Sequence, residues 1–405
     1  MNASKHRSAR SRTKSRGSRK GNILVLSAAF FVVIMAFTAF TVDVGYIALT
    51  KAELKNAADA AALAAAAELP AGFGAGAELN LAEVDAIARQ AAVDVAGANP
   101  AGDLSSVYAD GDRDVRFGQI QWDSDSQSWQ KTWGVAPYNL VEVSPRRNEE
   151  FEDPEVEEPV PNSGGDRPLN LFFAPVIGHT KAGLAVSSSA GMLPGAGFRI
   201  RSGSGMTVGV LPIALDDPTW NGVLVGIGPD EWTYDPDTGA ITPGPDGIVE
   251  ANLYPHGSAI MPPGNRGTVD LGSSNNSTND IKRQILYGLN EYDLSFFGGE
   301  LRFDQGPLYI NGDTGLSAAI KDELNQIKGQ PRAIPIFTAV SGPGNNATYT
   351  ITKFVGIRIL DVQLTGSPSK KHVTVQPAPY VDATVVPGDV TISEDTIFTQ
   401  PVLVQ

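Results

Sequence analysis

The sequence contains no cysteine and only four histidines, which removes several kinds of chemistry. Without cysteine there is no disulfide, thiolate metal site, iron–sulfur cluster or cysteine nucleophile. The histidines lie far apart in the chain, which disfavours a histidine-rich zinc site; they are His6, His179, His256 and His372. Stability therefore comes from packing, and a chain of 405 residues is long enough to bury a large core.

The common sequence motifs of catalysis are also missing. The chain has no G-x-x-x-x-G-K-[ST] phosphate loop, no G-x-S-x-G nucleophile elbow and no H-E-x-x-H zinc motif. Gly195-Ala-Gly197 lacks the third glycine of a dinucleotide-binding fingerprint. These absences predict a protein that is not an enzyme and that needs no cofactor.

Charge is distributed unevenly along the chain. Residues 1–20 hold eight of the 31 basic residues and no acid, so the remainder carries 23 bases against 45 acids, a net charge of −22. An acidic body argues against a nucleic-acid partner. The short basic tail, taken here as residues 1–22, needs another explanation, and the segment that follows it supplies one.

The segment Ile23–Val42 is a run of 20 residues without a charge. As a helix it would be about 30 Å long, the thickness of one hydrocarbon core. Basic residues precede it and none follows before Lys51, so the positive-inside rule predicts a cytoplasmic N-terminus and an extracytoplasmic body. The run exceeds a signal-peptide core and no clear cleavage site follows, which favours an uncleaved anchor in the bilayer.

The helical pattern continues beyond the apolar run. Residues 43–69 contain no proline and are rich in alanine, the best helix former, and Pro70 ends the pattern. One helix from Ile23 to Leu69 would be about 70 Å long. Its outer part is either an Ala-rich stalk or, because small residues permit close approach, a packing element. Asp43 is either a boundary residue or a contact to another membrane helix.

Beyond residue 69 the pattern predicts an α+β body with mixed, mainly antiparallel sheets. We divide it into a first region, residues 70–197, with an acidic loop over 146–167, and a second region, residues 198–405. The clearest predicted helices cover residues 81–96, 281–290 and 314–328. The clearest predicted strands cover residues 114–122, 139–143, 206–215, 334–340 and 349–364.

Two groups of residues suggest ligand binding. Asp110, Asp112 and Asp114 alternate in the way that can direct carboxylate oxygens at Ca²⁺, although Arg113 between them could neutralise the acids instead. The five tryptophans could form a stacking surface for glycans or could pack in cores; they are Trp122, Trp129, Trp133, Trp220 and Trp232. An anchored metal-dependent hydrolase and a glycan-binding module are therefore the alternatives to a purely structural protein.

The N-terminal residues resemble the TadE/TadG-like family of Flp pilus-assembly proteins. In that family a basic start and a membrane helix precede an Asp-x-Gly motif and an Ala-rich stretch, which together correspond to residues 20–69 of this chain. The residues that carry the resemblance here are Asp43, Gly45, Leu54, Asn56, Ala57, Ala58, Asp59, Ala60, Ala61 and Leu63. Lys55 stands where the family usually has glutamine.

The resemblance implies a location and a role. It implies a single-pass protein of the bacterial inner membrane whose N-terminal helix contacts other pilus-assembly or envelope proteins. A prepilin has a glutamate five residues into its mature chain, whereas the fifth residue after Gly21 is Leu26. The resemblance therefore favours an accessory assembly protein over the major pilin.

Overall fold

A computed structural model describes residues 22–148, 166–254, 265–272, 277–314 and 316–404. The basic tail up to residue 21 and most of the predicted acidic loop, residues 149–165, lie outside the described residues. The α-helices in the described part are α1 Asn22–Glu68, α2 Leu81–Gly97, α3 Gly111–Asp114, α4 Asp217–Leu224, α5 Thr278–Tyr287, α6 Glu291–Ser295 and α7 Lys321–Gln326.

The strands are mostly short, apart from two long ones in the second half of the chain. The first eight are β1 Val115–Asp123, β2 Ser128–Trp133, β3 Leu140–Val143, β4 Arg146–Arg147, β5 Leu169–Asn170, β6 Lys181–Ala182, β7 Leu184–Ala185 and β8 Ser188–Gly191. Next are β9 Gly195–Arg199, β10 Leu215–Asp216, β11 Trp232–Tyr234, β12 Ile241–Pro243, β13 Ala251–Asn252, β14 Asn265–Val269, β15 Glu300–Arg302 and β16 Leu308–Thr314. The last are β17 Pro331–Ser341, β18 Ala347–Gln363, β19 His372–Pro377, β20 Val381–Asp382, β21 Val385–Pro387, β22 Phe398–Thr399 and β23 Val402–Leu403.

Helix α1 has 47 residues and begins and ends within one residue of the predicted helix. Its apolar part, residues 23–42, is exposed apart from the half-buried Ala39, and an 18-residue stretch has a mean hydropathy of 2.7 and no buried residue. A helix of this length and composition can cross a membrane. Pro70 lies in a short 3₁₀ helix, Leu69–Gly72, which ends α1.

The second half of α1 is the centre of the first hydrophobic core. Its buried apolar positions recur every three or four residues and are Leu54, Ala57, Ala58, Ala61, Ala62, Ala65 and Ala66. They pack against α2, whose buried face is made of Val84, Ala88, Ala92 and Ala96. Small side chains on both helices allow the backbones to approach closely. The outer alanines of α1 therefore pack within the chain and do not form a free-standing stalk in the described structure.

A five-stranded antiparallel sheet covers the other side of α1, in the order β2-β1-β3-β8-β23. Phe117, Val141, Val143 and Met192 from this sheet region join the same core as the alanines of α1. The strands β1 and β3 match the predicted ones closely. The edge strand β23 comes from the C-terminal end of the described chain, so residues 402–403 complete a sheet that the first region begins.

The second half of the chain builds a seven-stranded sheet around the long pair β17 and β18. Most pairs are antiparallel, whereas β10 lies parallel to β17, so the sheet is mixed. Helices α4, α5 and α7 supply Trp220, Ile285 and Leu324 to the core on this sheet. These layers confirm the α+β body at this level.

Two predicted elements in this region are wrong. Residues 206–215 do not form one strand, because Val208, Val210 and Ile213 each make an isolated bridge to a different segment. The predicted helix over 314–328 contains only a 3₁₀ turn at Ala318–Ile320 and the six-residue α7. The backbone bonding of residues 206–215 is decided by the segments that they contact. Residues 316–328 alternate buried apolar side chains, among them Leu324 and Ile327, with exposed polar ones.

The close contact of α1 with α2 predicts that enlarging one alanine will destabilise the protein. For Ala61→Leu we expect a loss of about 1–3 kcal/mol, because extra methylene groups in a filled core force side chains and backbone apart. Ala52→Leu is the matched control, since Ala52 is exposed on the same helix. The measurement is denaturant unfolding of the full chain in detergent. Equal stability of both variants would contradict the packing.

Candidate functional site

Asp43 is the residue at which α1 changes from an exposed helix to a packed one. It is 3% exposed, whereas Val42 and Val44 on either side are exposed. Its carboxylate accepts hydrogen bonds from three successive backbone amides, those of Phe172 at 2.8 Å, Phe173 at 3.0 Å and Ala174 at 2.6 Å. Asp43 thus binds the start of the 3₁₀ helix Ala174–Ile177. The sequence-based interpretations of Asp43, a boundary residue or a contact to another membrane helix, did not include this contact within the chain.

The segment that Asp43 binds is the tip of a hairpin, and we call residues 171–178 the tip loop. Strands β5 and β6 form its base through the pairs Leu169 with Ala182 and Asn170 with Lys181. Gly178 closes the 3₁₀ turn with a φ of 95°, a left-handed conformation that glycine adopts without strain. The local sequence therefore presents its amides to Asp43 in a compact turn.

A chain of hydrogen bonds also connects the hairpin base to α1. The buried guanidinium of Arg147 donates hydrogen bonds to the carbonyl of Ala101 at 2.8 Å and to the Asp103 carboxylate at 2.6 Å. It also donates to the carbonyl of Arg167 beside the hairpin base, at 3.1 Å. The Gly102 amide in turn donates to Glu53 of α1 at 2.7 Å. The hairpin is therefore fixed to the helix at its tip and at its base.

The electrostatics of Asp43 follow from these contacts. Burial alone would raise the pKa of Asp43, but the hydrogen bonds from Phe172, Ala174 and Phe173 outweigh it and lower the pKa. Asp43 follows the apolar run, so its carboxylate lies outside the span. It is therefore ionised at neutral pH, and the three amides point their positive ends at a full negative charge.

The other residues of the resemblance divide by the side of α1 on which they lie. Leu54, Ala57, Ala58 and Ala61 are buried in the core, and Ala60 and Leu63 are half-buried. Asp59 forms an ion pair with Lys55 at 2.6 Å and accepts a hydrogen bond from Ser188 of β8. Gly45 and Asn56 are exposed. The buried small residues of this motif therefore pack in the chain's own core, whereas Gly45 and Asn56 face outward.

The Asp110–Asp114 cluster is held together by its own amides and arginines. Asp110 accepts hydrogen bonds from the amides of Asp112 and Arg113, both at 2.9 Å, and the bond from Arg113 contributes most to lowering the pKa of Asp110. The fully buried Asp114 carboxylate pairs with Arg113 at 2.7 Å and Arg146 at 3.2 Å. Asp112 is exposed.

This geometry bears on metal binding without testing it. Across the described ranges, no group of three or more histidine and acidic side chains is placed to hold a metal ion. Arg113 pairs with Asp114, as in the sequence-based alternative that this arginine neutralises the acids. Binding of Ca²⁺ by Asp110, Asp112 and Asp114 stays a prediction.

The five tryptophans lie in different places. Trp220 is buried in the second core and donates a hydrogen bond to Asp395 at 2.9 Å, so it is not available for stacking. Trp122 and Trp129 are paired across β1 and β2 with ring centroids 5.4 Å apart. Trp133 lies on the same face of this strand pair, against Arg116. Trp232 belongs to the separate pair of β11 and β12.

The Asp114 cluster yields a prediction that also tests the cation. For Asp114→Asn we expect a loss of about 2 kcal/mol in the free energy of unfolding, because Arg113 and Arg146 lose a charged partner at a buried site. Asp112→Asn, at an exposed position, is the control and should be near neutral. If added Ca²⁺ raises the melting temperature of the wild type but not of Asp112→Asn, the cluster binds the cation.

The Asp43 site yields a second prediction. In Asp43→Asn the amides of residues 172–174 should exchange hydrogen about tenfold faster, because a bond to a neutral amide oxygen is weaker than one to a carboxylate. The measurement is hydrogen exchange of the full chain in detergent, read by mass spectrometry. Asp125→Asn in an exposed turn is the control. Unchanged exchange in Asp43→Asn would contradict the role assigned to this carboxylate.

Comparison with known proteins identifies the same segment. Residues 21–68 match the family described as putative Flp pilus-assembly TadE/G-like. No curated protein and no solved structure matches the chain significantly. The matched residues include all of α1, with its apolar half, Asp43 and its Ala-rich face. The recognition of a TadE/TadG-like segment at the N-terminus of this chain is therefore confirmed.

Proposed function

We propose that this chain is a membrane-anchored envelope protein with a structural, non-enzymatic role in assembling a Flp-type pilus or a related surface-attachment system. In this proposal α1 crosses the bacterial inner membrane once, with the basic tail in the cytoplasm and the α+β body outside. Similarity to a pilus-assembly family over residues 21–68 supports the role, and the position of the basic residues supports the orientation.

The observation that carries the proposal is the continuity of α1. The same helix is exposed and apolar over 18 residues and, a few turns later, is the central element of the first core. A body tethered by a loop could turn freely at the membrane, whereas a body built around the helix takes its orientation from the helix. This arrangement suits a protein that presents a surface to assembly partners at a fixed height and direction.

The packing of α1 limits where partners can bind. The alanine face is covered by α2 and the first sheet, so other membrane or envelope proteins must use the opposite face. Gly45, Leu49 and Asn56 are exposed there. A side chain at Gly45 would meet no atom of this chain within 4 Å, so nothing in the chain's own packing requires glycine. Close approach of a partner helix would require a glycine at this position.

The proposal predicts that anchoring and span sequence contribute separately to pilus or attachment function. In cells lacking the native chain, one variant carries a cleavable signal peptide in place of residues 1–42, and a second carries an unrelated apolar span in place of residues 23–42. We expect the released body to lose function and the second variant to keep the body at the membrane. Surface pili and attachment are the readouts.

The two variants separate the possible outcomes. Partial function with the unrelated span would indicate that Ile23–Val42 also contacts partner helices, and full function would confine partner binding to the part outside the membrane. Full function of the released body, at matched abundance and with a normal melting temperature, would contradict the anchored role.

A further inference from the structure

We propose that the tip loop, residues 171–178, inserts its apolar side chains into the outer leaflet of the bilayer that α1 crosses. The inference rests on the membrane anchoring in the proposed function and adds a second membrane contact to it. The ligand is the lipid surface itself, at the boundary between headgroups and acyl chains.

The loop exposes large apolar side chains that nothing in the described chain covers. Phe172 is 63% exposed, Phe173 46%, Val176 89% and Ile177 72%. Four such residues within six positions form a continuous patch on a turn that is otherwise well ordered by hydrogen bonds. Patches of this kind mark a surface that meets a protein or a membrane.

The position of the patch favours the membrane. Asp43 holds the amides of residues 172–174, and Asp43 is the first residue after the 20-residue apolar run. The Phe172 ring also packs on Tyr46 of α1, with ring centroids 4.9 Å apart. The tip is therefore fixed beside the point where α1 leaves the bilayer, and aromatic side chains are favoured at that depth.

The backbone of the loop suits a site of low polarity. Asp43 accepts from three of its amides, and Pro175 has no amide hydrogen. The amides of Val176 and Gly178 donate to the carbonyls of Phe173 and Pro175, both at 3.1 Å. Because these donors have partners within the chain, moving the turn out of water costs little hydrogen bonding.

The charges around the loop fit the same placement. No acidic residue occurs between Asp166 and Asp216, whereas Lys181 and His179 follow the tip directly and are exposed. A base at this position lies where lipid phosphates would be, and cationic side chains flanking an apolar tip strengthen interfacial binding. A partner protein could also cover the tip, and the experiment below separates that case.

The test uses the full chain reconstituted alone into liposomes, and the absence of cysteine allows single-site labelling. Val176→Cys and Val225→Cys carry the same environment-sensitive fluorophore, and the lipids carry a quencher near the headgroup. Val225 is the matched control, because it is 72% exposed and apolar but follows α4, on the second sheet. We expect strong quenching and a blue shift at position 176, and neither at 225.

Each other outcome has a defined meaning. Equal quenching at 176 and 225 would overturn the proposal, because it would report adsorption of any exposed label. No quenching at 176 in liposomes, followed by a blue shift only in native membranes, would also overturn it and would indicate a protein partner. A label at Phe37→Cys within the span must be quenched in every case; if it is not, the anchoring itself fails instead of the loop inference.

Discussion

One helix has to satisfy two environments, and the rest of the structure follows from that constraint. The apolar half of α1 exposes large side chains and has the length and composition to cross a bilayer, whereas its other half buries alanines against protein. The change takes place between Asp43 and Thr50, with no break in the backbone. A bilayer accepts bulky side chains without regard to shape, but a helix pair needs matched small residues, and the composition changes accordingly.

Because α1 is central to the first core, segments from distant parts of the described chain close around it. The edge strand β23 joins the sheet beside β8, and Phe398 packs edge-on against Phe73 with ring centroids 4.5 Å apart. Arg358 of the long strand β18 pairs with Glu78, just before α2. The two predicted regions of the body are therefore joined by contacts of high sequence separation, and α1 contacts β23 as well as the first region.

Asp43 shows how a boundary residue acquires a structural role. An acid at this position costs little at the interface, which explains why it is tolerated there. Its carboxylate then orders a turn 129–131 residues further along the chain. The same contact fixes the height of the apolar tip relative to the span. The Asp43 carboxylate thus fixes the geometry between the helix and the hairpin.

The features that could be predicted from the amino-acid sequence are those that depend on residues close together along the chain. The length of α1, its apolar half, the strands near residues 115–123 and 347–363, the α+β class and the TadE/TadG-like segment all follow from local composition, periodicity and motif. Only the tertiary structure decided that the alanine face is core, that Asp43 binds residues 172–174, that Asp114 pairs with arginines and that Trp220 is buried. These roles depend on partners far away in sequence, and propensity reports on neighbours along the chain, whereas burial and hydrogen bonding report on neighbours in space.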